Sequence, residues 1–410
     1  MATTEAKAQA DEPARAVAGK TPGNTEPHLR FRADGTFRVM QFADIQDTAP
    51  VNVDTLALME AALDAERPDL VVLTGDQIKG YAPSYRHMEP AAREAAVREA
   101  IAQMCEPMIA RGIPFAATYG NHDCQCGVQN ARQDDFYAAL PWCLNGSAPA
   151  HFAAGAFMLP VLDAAGKRDA LAVYLVDSGG AAAGGGYEAF PRETVHWMTQ
   201  TAEDLSKKAG RPVPGIVFQH IPLPQLYDCL RLAMRGEGGV PGYRTRYQPG
   251  HLLVCREDAR ESGELHEPIC CPDEDSGEFE ELSRQGSFFA AFFGHDHKNT
   301  LVARCGGMQL GYAPTVGFSS YGPGVLRAAR LFVFQEENPA VFETRLLDYQ
   351  TLVGGAPSHP VRDWFSSRTP VSVEEARELL RAPVRVAAGI AISIAAARAI
   401  HAMVIRKKRG

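Results

Sequence analysis

The chain runs to 410 residues, 46% hydrophobic and 22% charged, enough for one large catalytic domain or two ordinary ones and well beyond the size that needs a disulfide scaffold. A formal net charge of -8, with no long basic run between residues 31 and 350, gives no electrostatic ground for a nucleic-acid partner. The nine cysteines lack regular spacing, and Cys124, Cys126, Cys270 and Cys271 read as plain thiols, as suits a reducing cytoplasm.

Residues 1–30 are rich in Ala, Thr, Glu, Lys and Pro, lack the apolar core of a secretory signal and read as a disordered lead-in. Residues 38–43 are a predicted strand ending at Asp44. Residues 53–66 carry Leu56, Met59, Ala62 and Leu63 at helical spacing, and Pro68 stops that helix. The apolar run 69–74 predicts a strand buried on both faces, leading into Thr74-Gly75-Asp76. A longer helix over 91–111 precedes a strand over 113–118, which runs into Gly120-Asn121-His122-Asp123. Further strands are predicted at 171–176, 215–218 and 288–293, with a helix over 193–208 between the first two. Residues 330–334 and 341–348 read as a closing antiparallel hairpin. Alternating strands and helices predict an α/β layered fold with a largely parallel central sheet, built from residues 31–350.

Two stretches fall outside that pattern. Residues 225–285, rich in Gly, Pro and charge, read as an insertion able to cover an active site. Residues 351–410 form a C-terminal extension whose Ala/Ile-rich segment 386–405 precedes Arg406-Lys407-Lys408-Arg409. Arg398 and His401 interrupt that segment, so a helix docked on the domain or lying at a membrane surface is expected in preference to a span. The expected localisation is cytoplasmic, with a peripheral membrane contact through this helix.

The chemistry lies in the residues at the strand ends. Asp44, Asp76, Asn121 with His122, His220, and His295 with His297 all sit just past a predicted strand, where α/β sheets bind ligands. Hydrolysis of a phosphoester needs a neutralised phosphate and a nucleophilic water at neutral pH. Two divalent cations about 3.5–4 Å apart supply both, with a bridging hydroxide as nucleophile. Asp76 suits the bridging carboxylate, Asp44 and His297 the first cation, and Asn121, His220 and His295 the second. His122 suits the general acid, with Asp123 orienting its ring. Two histidines at i and i+2 in Gly294-His295-Asp296-His297 are the most specific of these signals. No Gly-x-Ser-x-Gly elbow and no Gly-x-x-x-x-Gly-Lys-[Ser/Thr] phosphate loop compete with this reading.

These ordered blocks resemble those of the calcineurin-like metallophosphoesterases, over roughly residues 37–349. Gln219-His220-Ile221-Pro222-Leu223-Pro224 and Phe293-Gly294-His295-Asp296-His297, with Gly317-Phe318-Ser319-Ser320-Tyr321-Gly322 further on, are similar to the purple-acid-phosphatase-like branch. The resemblance implies a double β-sheet sandwich flanked by helices, a dinuclear centre at the strand ends and hydrolysis of phosphomonoesters or phosphodiesters. Two departures stand out. Gln46 occupies the third position of the usual Asp-x-His block, and Lys79 stands where a purple centre has its tyrosine. Gln46 is expected to offer a neutral amide oxygen, which makes the first site oxygen-rich and suited to Mn or Mg, with Fe and Zn the other candidates. The competing expectation is a binding scaffold on this fold that has lost catalysis.

Overall fold

The computed structural model describes residues 29–370 and 372–381; residues 1–28 of the 1–30 lead-in and the Ala/Ile-rich segment 386–405 lie outside the described residues, while Leu29 is buried and Arg30 bridges to Leu162. Two sheets face each other, where the strand pattern alone predicted one. The five-stranded sheet has the order Phe342–Asp348, Ala328–Gln335, Thr36–Phe42, Leu70–Thr74, Phe115–Thr118. Its last three strands are parallel, and the closing hairpin adds to Thr36–Phe42 antiparallel. The eight-stranded sheet is parallel at its centre, through Met308–Tyr312, Phe288–Phe293, Gly215–Phe218 and Asp169–Leu175. Antiparallel strands finish both of its sides. The double sandwich that the resemblance implied is the architecture, and each sheet has its own parallel core. Strands Ala156–Leu162 and Met308–Tyr312 escaped prediction because neither combines clean alternation with flanking turn signals.

The sheets bury a shared layer. Val39, Leu70, Val72 and Ala116 from the first meet Leu171, Val173, Ile216, Phe218, Ala290 and Phe292 from the second. The opposite faces are covered by helices. Val53–Glu66 and Pro90–Ile109 pack Leu58, Met59, Leu63, Ile101 and Met104 against Met40, Val71 and Leu73. Arg192–Ala209 and Glu278–Gln285 cover the second sheet through Val195, Met198 and Leu282. Burial on both faces explains why these strands read as continuous apolar runs.

Helix ends follow local chemistry. Asn52 accepts from the Asp54 N–H at 2.8 Å to start Val53–Glu66. Arg67 closes that helix in a left-handed conformation one residue before Pro68. Gly210, also left-handed, ends Arg192–Ala209.

The 225–285 stretch is more ordered than a lid-like insertion suggested. Strands Leu230–Leu232 and Leu253–Cys255 form a ribbon, and Arg260–Ser262 extends the eight-stranded sheet against Val302–Cys305. Cys229 and Cys305 are joined as a disulfide, which differs from the nine reduced thiols expected. Among the described residues no helix is long and apolar enough to cross a membrane.

Candidate metal centre

The carboxyl ends of the parallel strands from both sheets open on one rim. Asp44 and Gln46 follow Thr36–Phe42, Asp76 follows Leu70–Thr74, and Asn121, His122 and Asp123 follow Phe115–Thr118. The second sheet brings His220 after Gly215–Phe218, and His295 with His297 after Phe288–Phe293. Leaving a strand abruptly enough to turn a side chain inward demands unusual backbone. Asp44 (φ 53°), Gln46 (φ 45°), Asp76 (φ 52°) and His295 (φ 73°) are all left-handed, a conformation that costs non-glycine residues and clusters at functional sites.

The glycines beside these residues make room for them. A Cβ on Gly75 would lie 2.6 Å from His220 Nδ1 and 2.7 Å from the Gly120 nitrogen. One on Gly120 would collide with the Asp76 carboxylate, and one on Gly294 would come within 2.7 Å of Asp44 Oδ2. Gly-Asp, Gly-Asn-His and Gly-His-Asp are therefore packing requirements of a crowded centre.

The donor atoms converge. His220 Nε2 lies 3.3 Å from Asp76 Oδ2, 3.2 Å from Asn121 Oδ1 and 3.2 Å from His295 Nδ1. Asp44 Oδ1 is 3.3 Å from His297 Nε2 and 4.0 Å from His220 Nε2. Ligand atoms of Asp76, His220 and His295 all fall within 4.8 Å of one another. Asp44, Asp76, Asn121, His220, His295 and His297 are all buried. Six of the seven residues expected to hold metal thus present donors to one small volume.

A second layer aims them. His220 Nδ1 bonds the Thr74 carbonyl at 3.0 Å and His297 Nδ1 the Tyr321 carbonyl at 2.8 Å, so each ring turns Nε2 inward. The Tyr321 ring stacks on His297, centroids 4.1 Å apart. Buried Arg327 donates to the carbonyls of Gly317, Ser320 and Tyr321 and so holds that loop. Asp44 Oδ2 accepts from the His295 N–H at 2.9 Å, tying the two sheets together.

The charged groups of this cluster act strongly on one another. Burial alone lowers the His220 ring, but Asp76 and Asp44 overcome it and push His220 up to about 10. Burial raises the Asp76 carboxyl, and His220 and His122 more than offset it, holding Asp76 below the usual carboxylate range. Burial and neighbouring His220 keep His295 well below an ordinary imidazole. Asp44 Oδ1 and His295 Nε2 are buried without any hydrogen-bond partner among the described residues. Two carboxylates, an amide oxygen and three imidazoles with orphaned donor atoms fit a pair of divalent ions.

Two expected roles need correction. Gln46 turns Nε2, not its oxygen, toward Asp76 Oδ2 at 3.2 Å, and Tyr81 Oη approaches its Oε1 at 3.4 Å. In this orientation Gln46 is a hydrogen-bond donor to the Asp76 carboxylate, since an amide nitrogen has no free lone pair for a metal. Asp123 does not orient His122. It is fully buried and accepts from the N–H groups of Asp76, Gly120 and Ile78 at 2.7–2.8 Å, bracing the two turns. The partner of His122 is Gln125, whose Oε1 lies 2.9 Å from Nδ1. That leaves His122 Nε2 facing Asp76 Oδ2 at 3.9 Å, with the His122 side chain 30% exposed.

Sequence reasoning also missed the rings around the centre. Tyr81 packs on His122 with centroids 4.7 Å apart, and Tyr187 sets its edge on His295 at 4.4 Å. For Gln125 a signal existed, since it lies one helical turn beyond His122. Tyr187 stands in a Gly/Ala-rich loop with no such signal.

Residues 37–299 match the family profile described as calcineurin-like phosphoesterase. The chain is 24% identical over 347 residues to "Probable inactive purple acid phosphatase 14" of Arabidopsis thaliana, spanning 75% of this chain and 78% of that one. It is 26% identical over 341 residues to "Probable inactive purple acid phosphatase 29" of the same plant, spanning 74% and 78%. Among solved structures it is similar to a dimetal phosphatase from Danio rerio, with a TM-score of 0.41 and 14% identity over 76% of this chain and 99% of that one.

Proposed function

Because the chain belongs to the calcineurin-like phosphoesterase family, in its purple-acid-phosphatase-like branch, we propose that it hydrolyses phosphoric esters at a dinuclear centre. The observation that carries this reading is the convergence of Asp44, Asp76, Asn121, His220, His295 and His297, with Asp44 Oδ1 and His295 Nε2 buried there without a hydrogen bond among the described residues. Asp44 and His297 would hold one ion, Asn121, His220 and His295 the other, and Asp76 both. Such ions supply charge neutralisation for the phosphate and a nucleophilic water near neutral pH.

The chain's own residues do the rest. His122 stands at the exposed mouth, beside Asp76 and the rim. Its Nδ1–H is committed to Gln125 Oε1, which points Nε2 toward an ester bound at the cluster. Water oxygen bonds to phosphorus as the ester P–O bond breaks, and Nε2 hands its proton to the departing alkoxide. The proton shed by the water restores the ring over the full turnover. Gln46 Nε2–H fixes the free side of Asp76 Oδ2 and keeps that carboxylate from rotating.

A scaffold without catalysis is the second reading. It draws on Gln46 in place of the usual histidine and on the "probable inactive" in the names of the plant relatives. One assay separates the two. Purified protein given Mn²⁺ is expected to bind two ions per chain and hydrolyse an aryl phosphate, and Asp76→Asn to lose both. Ion binding without turnover of monoesters or diesters would assign the scaffold.

A further inference from the structure

On the His122 side of the centre lies a groove of about 310 Å³ lined by Gly80, Tyr81, Tyr85, Arg86, Arg93 and Gln125, among others. Two of these residues touch His122 directly: Tyr81 through its ring and Gln125 through its amide oxygen. The groove therefore adjoins the His122 ring, from which a leaving group would take its proton. Its lining is unusual in two respects. Tyr81 is 39% exposed, a large aromatic face left open to solvent next to a buried centre. Arg86 and Arg93 bring two positive charges that make no ion pair among the described residues. Arg93 spends Nε and Nη2 on the carbonyls of Tyr85 and Met88, and Arg86 is exposed. Lys79 sits 5.5 Å from the Tyr81 ring, but its Nζ donates to the Ser319 carbonyl at 2.6 Å. Lys79 does not line the groove, so the open charge of its lining belongs to the two arginines.

Resting on the phosphoesterase reading, we infer that this groove is the leaving-group subsite, and that it selects phosphoesters whose leaving group carries an aromatic ring and a second negative charge. The ring lies on Tyr81 and the anion meets Arg86, with Arg93 adding to the local field. Arginine suits this task because its planar fork pairs with carboxylate or phosphate oxygens in two parallel hydrogen bonds.

Three monoesters test it: ethyl phosphate, phenyl phosphate and 4-(carboxymethyl)phenyl phosphate. The last two share a phenolic leaving oxygen of similar basicity and differ by one carboxylate. With Mn²⁺-loaded protein, kcat/KM is expected to be highest for the carboxylated ester. In Arg86→Ala the preference for carboxylated over plain phenyl ester is expected to fall about tenfold, the worth of one charge-assisted contact. Arg86→Lys is expected to keep part of it, and Tyr81→Leu to reduce the preference for phenyl over ethyl ester. A preference unchanged in Arg86→Ala overturns the assignment. A second arm is independent of turnover: line broadening of the ring protons of 4-hydroxyphenylacetate by protein without added metal. Broadening that Arg86→Ala abolishes supports the subsite, and none with native protein overturns it. Failure of native protein to hydrolyse any ester, with broadening intact, would count against the phosphoesterase reading alone.

Discussion

The two sheets meet at the centre with different chemistry. The five-stranded sheet delivers oxygen donors, Asp44, Asp76 and Asn121, and the eight-stranded sheet delivers nitrogen donors, His220, His295 and His297. The oxygen side is held by backbone: Asp123 braces the Asp76 and Gly120 turns, and Asp44 and Asp76 sit at positive φ. The nitrogen side is held through ring nitrogens bonded to the carbonyls of Thr74 and Tyr321. Each half is thus rigid in a different way. The contrast teaches that neither sheet alone makes a site: carboxylates without imidazoles would repel one another, and imidazoles without carboxylates would hold little charge. The two halves come together at the rim where both sets of strands end.

The sharpest way to break this comparison is to remove one donor from each half. His220→Ala and Asp44→Ala are each expected to lower kcat/KM by about 10³-fold or more, as when a site loses an element acting only in concert with others. The double variant is expected to be scarcely worse than either single, a non-additivity that steady-state kinetics would read directly. Simple multiplication of the two losses would show that the halves act independently.

Next in size is the proton donor outside both halves. His122→Ala is expected to cost about 10²-fold or more on alkyl esters and much less on esters whose leaving oxygen departs without protonation. Metal content, read by elemental analysis, should stay at two ions per chain. A loss of metal would place His122 among the ligands.

A smaller change tests the oxygen-rich character of the first half. Gln46→His replaces an amide that now faces Asp76 with its nitrogen by a ring able to donate a lone pair. Affinity for Zn²⁺ over Mn²⁺ is expected to rise, by about tenfold on competitive titration. No shift in preference would mean that the Asp76 carboxylate already saturates that side.

The smallest effect on turnover is expected on the far face of the eight-stranded sheet, where Glu278 is buried. Burial pushes its carboxyl up to about 8, and neither of its oxygens has a hydrogen bond among the described residues. A folded value above the unfolded 4.5 means that stability is full below about pH 4.5 and is lost as pH rises through 8. Glu278→Gln should remove that slope and gain on the order of a few kcal/mol above pH 8, measured by urea unfolding at several pH values. Kinetics should barely move.

Most of the fold, and the residues that converge at the rim, were legible in the chain. The apolar runs at 69–74 and 288–293 and the helical spacing at 53–66 became Leu70–Thr74, Phe288–Phe293 and Val53–Glu66. Strand ends are marked by glycine and a polar residue, and that punctuation survives in any fold. The split into two sheets was not readable from periodicity, because a strand buried on both faces looks the same in one sheet or two. The order within 225–285 was hidden for a related reason. Its strands are three residues long and pair with partners far away, Arg260–Ser262 with Val302–Cys305.

What the amino-acid sequence determined by itself was the inventory: which strands end in carboxylate, amide or imidazole, and hence which chemistry the protein could support. Local rules suffice for that, since backbone propensity and residue type act over a few neighbours. Which partner each side chain takes was decided only by tertiary structure. Asp123 became a brace and Gln125 the partner of His122, although Asp123 is the nearer in the chain. Gln46 turned its nitrogen toward Asp76, a residue 30 positions away, and His220 reached across to the other sheet for the Thr74 carbonyl. Hydrogen bonds and charges depend on distances of about 3 Å, and such distances between remote residues exist only once the two sheets have closed on each other.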